Sequence, residues 1–149
     1  MGSNKTLPKE IVDLIKNGIW PTTEAMVLAQ FEKSIVDRND LDGLVDDEGE
    51  SLIFYKPPFS TAEEWALEGI EILYDFCDTG FEIRPDKILV LGDLGPGSDA
   101  FWGLLYQDDI SDSPLVVREY WDDSIGKKLG WKTMSENFEE LCRRLNLNQ

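Results

Sequence analysis

The sequence predicts a single α+β domain spanning residues 1–149, with an antiparallel sheet built mainly from the C-terminal half and helices packed against it. Three observations predict this. Helical periodicity dominates the first half, and strand-like runs separated by short turns dominate the region after Pro85. The last apolar stripe, Phe138, Leu141, Cys142 and Leu145, returns to helical spacing. Turns too short for a crossover make neighbouring strands antiparallel.

Pro8, then Ile11, Val12, Leu14 and Ile15 before Gly18, describe a short first helix with its stop signal. Trp20-Pro21 is an extended break, after which Thr22 or Thr23 caps a second helix running to about Ile35. Ser51 to Tyr55 reads as a strand ended by Lys56-Pro57-Pro58. Ser60 with Glu63, or Thr61 with Glu64, then forms a capping box for a third helix. Its stripe runs through Ala62, Trp65, Ala66, Gly69, Ile70, Leu73, Phe76 and Cys77, and Thr79-Gly80 ends it. Strands are expected at Ile88 to Leu91, Phe101 to Tyr106 and Pro114 to Tyr120, with a short one at Trp131 to Met134. Ser135 is expected to cap the final helix, whose early Glu136, Glu139 and Glu140 and late Arg143 and Arg144 suit the helix dipole.

Composition narrows the function classes. The chain has no histidine, which removes the commonest general base, every Ser-His or Cys-His nucleophile pair and the usual zinc ligands. Cys77 and Cys142 form no C-x-x-C pair and read as two buried thiols of a cytoplasmic protein. No window resembles a signal peptide or a membrane span. Gly2 with Thr6 fits a myristoylation site only loosely.

The formal net charge is -16, and its distribution says more than its size. Residues 37–123 hold 23 acids against five bases, whereas the flanking segments are nearly balanced. Such a field repels nucleic acid and anionic membranes and attracts a basic protein. Within it, DRNDLDGLVDDEGE at residues 37–50 invites a calcium reading. With Gly43 at the sixth position of an EF-hand loop, Asp40, Asp42 and Asp46 fall on ligand positions. Arg38 and Gly49 then occupy the first and last, and the site fails. No metal site is expected.

The stretch ILVLGDLGPGSDAFWGLLY, Ile88 to Tyr106, offers three readings: nucleotide cradle, carboxylate site or structural hairpin. Gly95-Pro96-Gly97-Ser98-Asp99-Ala100 spells a dinucleotide motif, but the aromatic run after it is a poor helix start, and Asp93 and Asp99 bring negative charge where phosphate would sit. No cofactor is expected. Gly92, Asp93, Gly95, Gly97, Ser98 and Asp99 are read as a structural turn, with the aspartates accepting amide hydrogen bonds. An enzyme using Asp93 and Asp99 as acid and base is the remote alternative.

The same stretch, with Gly92-Asp93-Leu94-Gly95 and Gly97-Ser98-Asp99-Ala100 followed by a strand ending in Tyr106, resembles the SUKH superfamily, which includes Smi/Knr-type cell-wall assembly regulators and bacterial immunity proteins. Leu7-Pro8, the YKPPF run at Tyr55 to Phe59 and Phe138-Glu139-Glu140-Leu141 extend the resemblance over most of the chain. Where the family often has Leu-Asp-Tyr, this chain has Leu104-Leu105-Tyr106. The resemblance implies an α+β domain without catalytic residues that binds and neutralises a cognate toxin, such as a nuclease. A regulatory scaffold binding an endogenous protein is the alternative. For such binding, the candidate charges are Asp99, Asp108, Asp109, Asp112, Asp122 and Asp123. The candidate aromatic anchors are Trp102, Tyr106, Tyr120, Trp121 and Trp131.

Overall fold

The computed structural model describes residues 5–41, 44, 51–70, 84–95, 100–107, 113–122 and 126–147. Among them, four helices accompany a five-stranded antiparallel sheet, the α+β arrangement that the periodicities predict. In chain order these are α1 (Lys9–Lys16), α2 (Glu24–Ala29), β1 (Ile53–Phe54), α3 (Ala62–Leu67), β2 (Ile88–Asp93), β3 (Phe101–Leu105), β4 (Leu115–Asp122), β5 (Lys127–Ser135) and α4 (Phe138–Arg144). The strands lie in sequence order across the sheet, and four of the five follow residue 87.

Alternation along the strands separates two apolar layers. Leu89, Leu91, Trp102, Leu104 and Val116 join Trp20, Phe54, Phe138 and Leu141 in the larger core. Ile88, Val90, Leu105, Val117 and Trp131 form the smaller core with Ala62, flanked by half-buried Tyr55, Trp65 and Phe101. Trp20 is the hub of the larger layer. Its ring centroid lies 4.6 Å from that of Phe54, 5.6 Å from Phe59 and 6.1 Å from Phe138.

Local chemistry explains most element ends. Thr23 caps α2 by accepting from the Met26 amide at 3.2 Å. Thr61 and Glu64 form the expected capping box of α3. Four expectations are corrected. The second helix stops at Ala29 rather than near Ile35, because the amides of Gln30, Phe31 and Glu32 bond three residues back, to Val27, Leu28 and Ala29, in tightened turns that do not continue it. The third helix ends at Leu67, and Gly69 follows at φ 91°, so Ala66 and Ile70 are exposed instead of extending a buried stripe. The short strand at Trp131 is the nine-residue β5, which pairs with β4 along its length. Ser135 ends that strand, and Asn137 caps α4 by accepting from the Glu140 amide at 2.8 Å. Residues 71–83 and most of the acidic loop at 42–50 lie outside the described residues.

Gly92 is where β1 meets the sheet. A Cβ there would stand 1.7 Å from the Ile53 carbonyl oxygen and 2.6 Å from Trp102 Nε1. Both are fixed atoms, so even a methyl group must push β1 away. Gly92→Ala is therefore expected to destabilise the fold by about 3 kcal/mol in urea unfolding. An unchanged midpoint would show that β1 does not pack as described.

Candidate functional site

The hairpin expected between Ile88 and Tyr106 is present. β2 and β3 pair antiparallel from Ile88 with Leu105 to Asp93 with Phe101, and the segment after Ala100 is a strand where a dinucleotide site needs a helix N-terminus. Asp93 Oδ1 accepts the Gly95 amide at 2.8 Å, the turn-forming bond expected of it. Gly95, at φ 105°, takes a conformation that favours glycine. Gly97, Ser98 and Asp99 lie outside the described residues.

The second oxygen of Asp93 has a partner that sequence reasoning missed. The Tyr55 hydroxyl donates to Asp93 Oδ2 at 2.7 Å. Burial pushes the Tyr55 phenol above its ordinary range, and the charge of Asp93 and the hydrogen bond to it act in the same direction. With both carboxylate oxygens engaged, Asp93 serves as a structural link between β1 and the turn. Of the two carboxylates considered for catalysis, this one is committed to holding the chain.

Tyr55 also forms one wall of a cleft of about 380 Å³. Glu24 and Val27 of α2 stand on one side, Phe59 and Ser60 follow the Lys56-Pro57-Pro58 segment, and Trp65 of α3 and Val90 of β2 complete the lining. The cleft exists because the chain pairs with β2 twice and leaves it between. The Tyr55 amide donates to the Leu91 carbonyl at 2.8 Å and the Val90 amide to the Ser60 carbonyl at 2.9 Å; between them Lys56 and Pro58 are exposed while Phe59 turns into the core. The Tyr55 and Trp65 rings lie 5.9 Å apart at 44°, and Phe101 stands 5.2 Å from Trp65. Tyr55 and Trp65 are only partly buried. Tyr55 is signalled in the sequence by its alternation with Phe54, and Trp65 by the capping box that starts its helix.

Three of the proposed aromatic anchors are corrected. Trp102 and Trp131 are fully buried and Tyr106 is 1% exposed, so they fill the core instead of offering a surface. Trp102 and Tyr106 pack in the larger core and Trp131 in the smaller one. Trp102 Nε1 donates to the Ile53 carbonyl at 2.9 Å, and the Tyr106 hydroxyl to the Thr6 carbonyl at 2.7 Å. Tyr120 is half-buried, with Lys132 Nζ 4.7 Å from its ring centroid. Asp108, Asp109, Asp112 and Asp123 lie outside the described residues, as do the side chains of Trp121 and Asp122. Cys142 is buried as expected, and burial together with Glu10 and Glu139 pushes its thiol up to about 12. Cys77 lies outside the described residues.

Among the described residues, no group of three or more potential ligands could hold a metal ion, and no helix is long and apolar enough to cross a membrane. The charged residues that line the cleft are Glu24, which begins α2, and Lys56, both exposed, while exposed Glu63 and Glu68 lie on and just after α3.

Two expected outcomes follow from these bonds. Asp93→Asn retains an acceptor for the Gly95 amide but loses the charged acceptor of the Tyr55 hydroxyl, at an expected cost of about 1–2 kcal/mol in chemical unfolding. A neutral effect would remove the structural role. The second concerns alkaline pH. Tyr55 and Cys142 both hold their protons more tightly in the fold than their ordinary values of 10.0 and 9.0 allow. The unfolded chain therefore loses these protons first, so their contribution is intact below pH 9.0 and declines as pH rises through 9.0 and 10.0. Cys142→Ala is expected to remove the part of the decline that starts at the thiol, and Tyr55→Phe the later part. Stability profiles that coincide with that of the parent would contradict this.

Compared with family models, with curated proteins and with solved structures, the chain finds no match.

Proposed function

We propose that this chain is a SUKH-like protein-binding module of the immunity type, cytoplasmic and non-enzymatic, which neutralises a toxin by occluding its basic working surface. The observation that carries the proposal is the charge distribution, with 23 acids against five bases in residues 37–123. A nuclease surface built to attract phosphate attracts carboxylates by the same field, whereas nucleic acid and anionic membranes are repelled. Long-range attraction of this kind raises the association rate, and short-range contacts then set the lifetime of the complex.

The geometry supports the reading by separating the two tasks. The large aromatics Trp20, Trp102 and Trp131 are spent on the core. Partly exposed Tyr55 and Trp65 remain at an open cleft, and Leu28 and Phe31, each 52% exposed, lie on and just after α2. Asp93, the one described member of the candidate catalytic pair, is occupied by Tyr55 and Gly95, which weighs against the carboxylate enzyme.

The test begins with the product of the neighbouring reading frame. A basic toxin domain encoded there is expected to be inhibited stoichiometrically by this protein, with an association rate that falls as salt rises. Replacing Asp108, Asp109, Asp122 and Asp123 together by Asn is expected to slow association about tenfold and flatten its salt dependence. Unchanged kinetics would remove the steering role. Binding without inhibition would favour the regulatory scaffold.

A further inference from the structure

We propose that the cleft between α2 and α3 receives an arginine or lysine side chain of the partner. This rests on the reading of the chain as a binder of basic proteins and assigns that reading a specific anchoring point. A volume of about 380 Å³ lies at the low end of the about 300–1,000 Å³ usual for a binding pocket, which suits a single long side chain better than a folded element. Val27, Phe59 and Val90 offer an apolar wall to the methylene stem. Tyr55 and Trp65, tilted 44° to each other, are the two ring types whose faces attract a cation best.

The hydrogen bond from Tyr55 to Asp93 strengthens that attraction. A phenol donating at 2.7 Å to a carboxylate shifts electron density toward its ring, and the carboxylate adds negative charge at the hydroxyl end of the ring. Glu24 supplies a carboxylate in the cleft lining, and the chain as a whole carries a net charge of -16. Lys56 is the opposing group. It lines the cleft but is exposed. Its presence makes the sign of the occupant's charge measurable: removing Lys56 must favour a cation and disfavour an anion.

The probe is N-acetylarginine methylamide, titrated into the full chain while the Trp65 indole N–H resonance is followed by NMR and assigned with Trp65→Phe. N-acetylnorleucine methylamide and N-acetylglutamate methylamide serve as neutral and anionic controls. Saturable shifts are expected for the arginine compound, with weaker binding to Glu24→Gln and tighter binding to Lys56→Ala, each by about two- to fivefold. Both substitutions fall on exposed side chains, and near-ultraviolet circular dichroism checks that the fold is retained. A silent Trp65 resonance, equal binding of the norleucine compound, or weaker arginine binding to Lys56→Ala would each overturn the proposal. Salt-dependent association with a basic toxin separates the two levels. If it persists while Trp65 is silent, the cleft assignment alone fails. If it is absent while Trp65 responds, the steering account alone fails.

Discussion

Strand β1 is held in the sheet by side chains as much as by its neighbouring strand. It is two residues long, at the edge of the sheet, where unpaired amides and carbonyls are costly if buried and adhesive if exposed. Gln30 solves this for Phe54: its amide nitrogen donates to the Phe54 carbonyl and its amide oxygen accepts the Phe54 N–H, both at 2.8 Å. Trp102 Nε1 donates to the Ile53 carbonyl and Trp20 Nε1 to the Tyr55 carbonyl. Each bond is a modest gain against water, about 1 kcal/mol net, but leaving any one of these groups unpaired in the core costs more. The free edge at Phe54 is thereby closed by Gln30, two indoles satisfy the carbonyls on either side of it, and Gly92 provides the space for the contact of Ile53 with Trp102.

This clamp links the core to the candidate site. Strand alternation sends Phe54 into the larger layer beneath Trp20 and Tyr55 to the opposite face, where it meets Asp93 and Trp65. Because Tyr55 is fixed at its amide, its carbonyl and its hydroxyl, the ring is presented with little freedom left to lose on binding. The α2 segment carries a second consequence. No residue within the helix itself is buried, and Gln30 is its principal hold on the sheet edge. The wall of the cleft that bears Glu24 and Val27 is thus positioned by the same side chain that closes the edge.

Elements defined by local pattern are legible in the amino-acid sequence alone. α1, α4, the capping box of α3 and the β2–β3 hairpin each follow from residues within a few positions of one another, where periodicity and turn chemistry act directly. The turn role of Asp93 is legible for the same reason. What escapes depends on long-range partners. Gln30 meets Phe54 across 24 positions and Tyr55 meets Asp93 across 38, and a polar side chain carries no mark of such a partner. The burial of Trp102 and Trp131 is the commoner fate of a large aromatic, but the sequence leaves it open because such a residue on a strand suits a core face and a binding face. Ser135 and Asn137 are both good caps, and only the length of β5 decides between them.

Amide hydrogen exchange at Phe54 tests the clamp most directly. If Gln30 holds the strand, the Phe54 N–H exchanges slowly in the parent protein, and in Gln30→Ala it loses protection while amides of the β3–β4 pair keep theirs. A Phe54 amide that stays protected without Gln30 would contradict the account, because some other group would then be closing the edge and positioning the cleft.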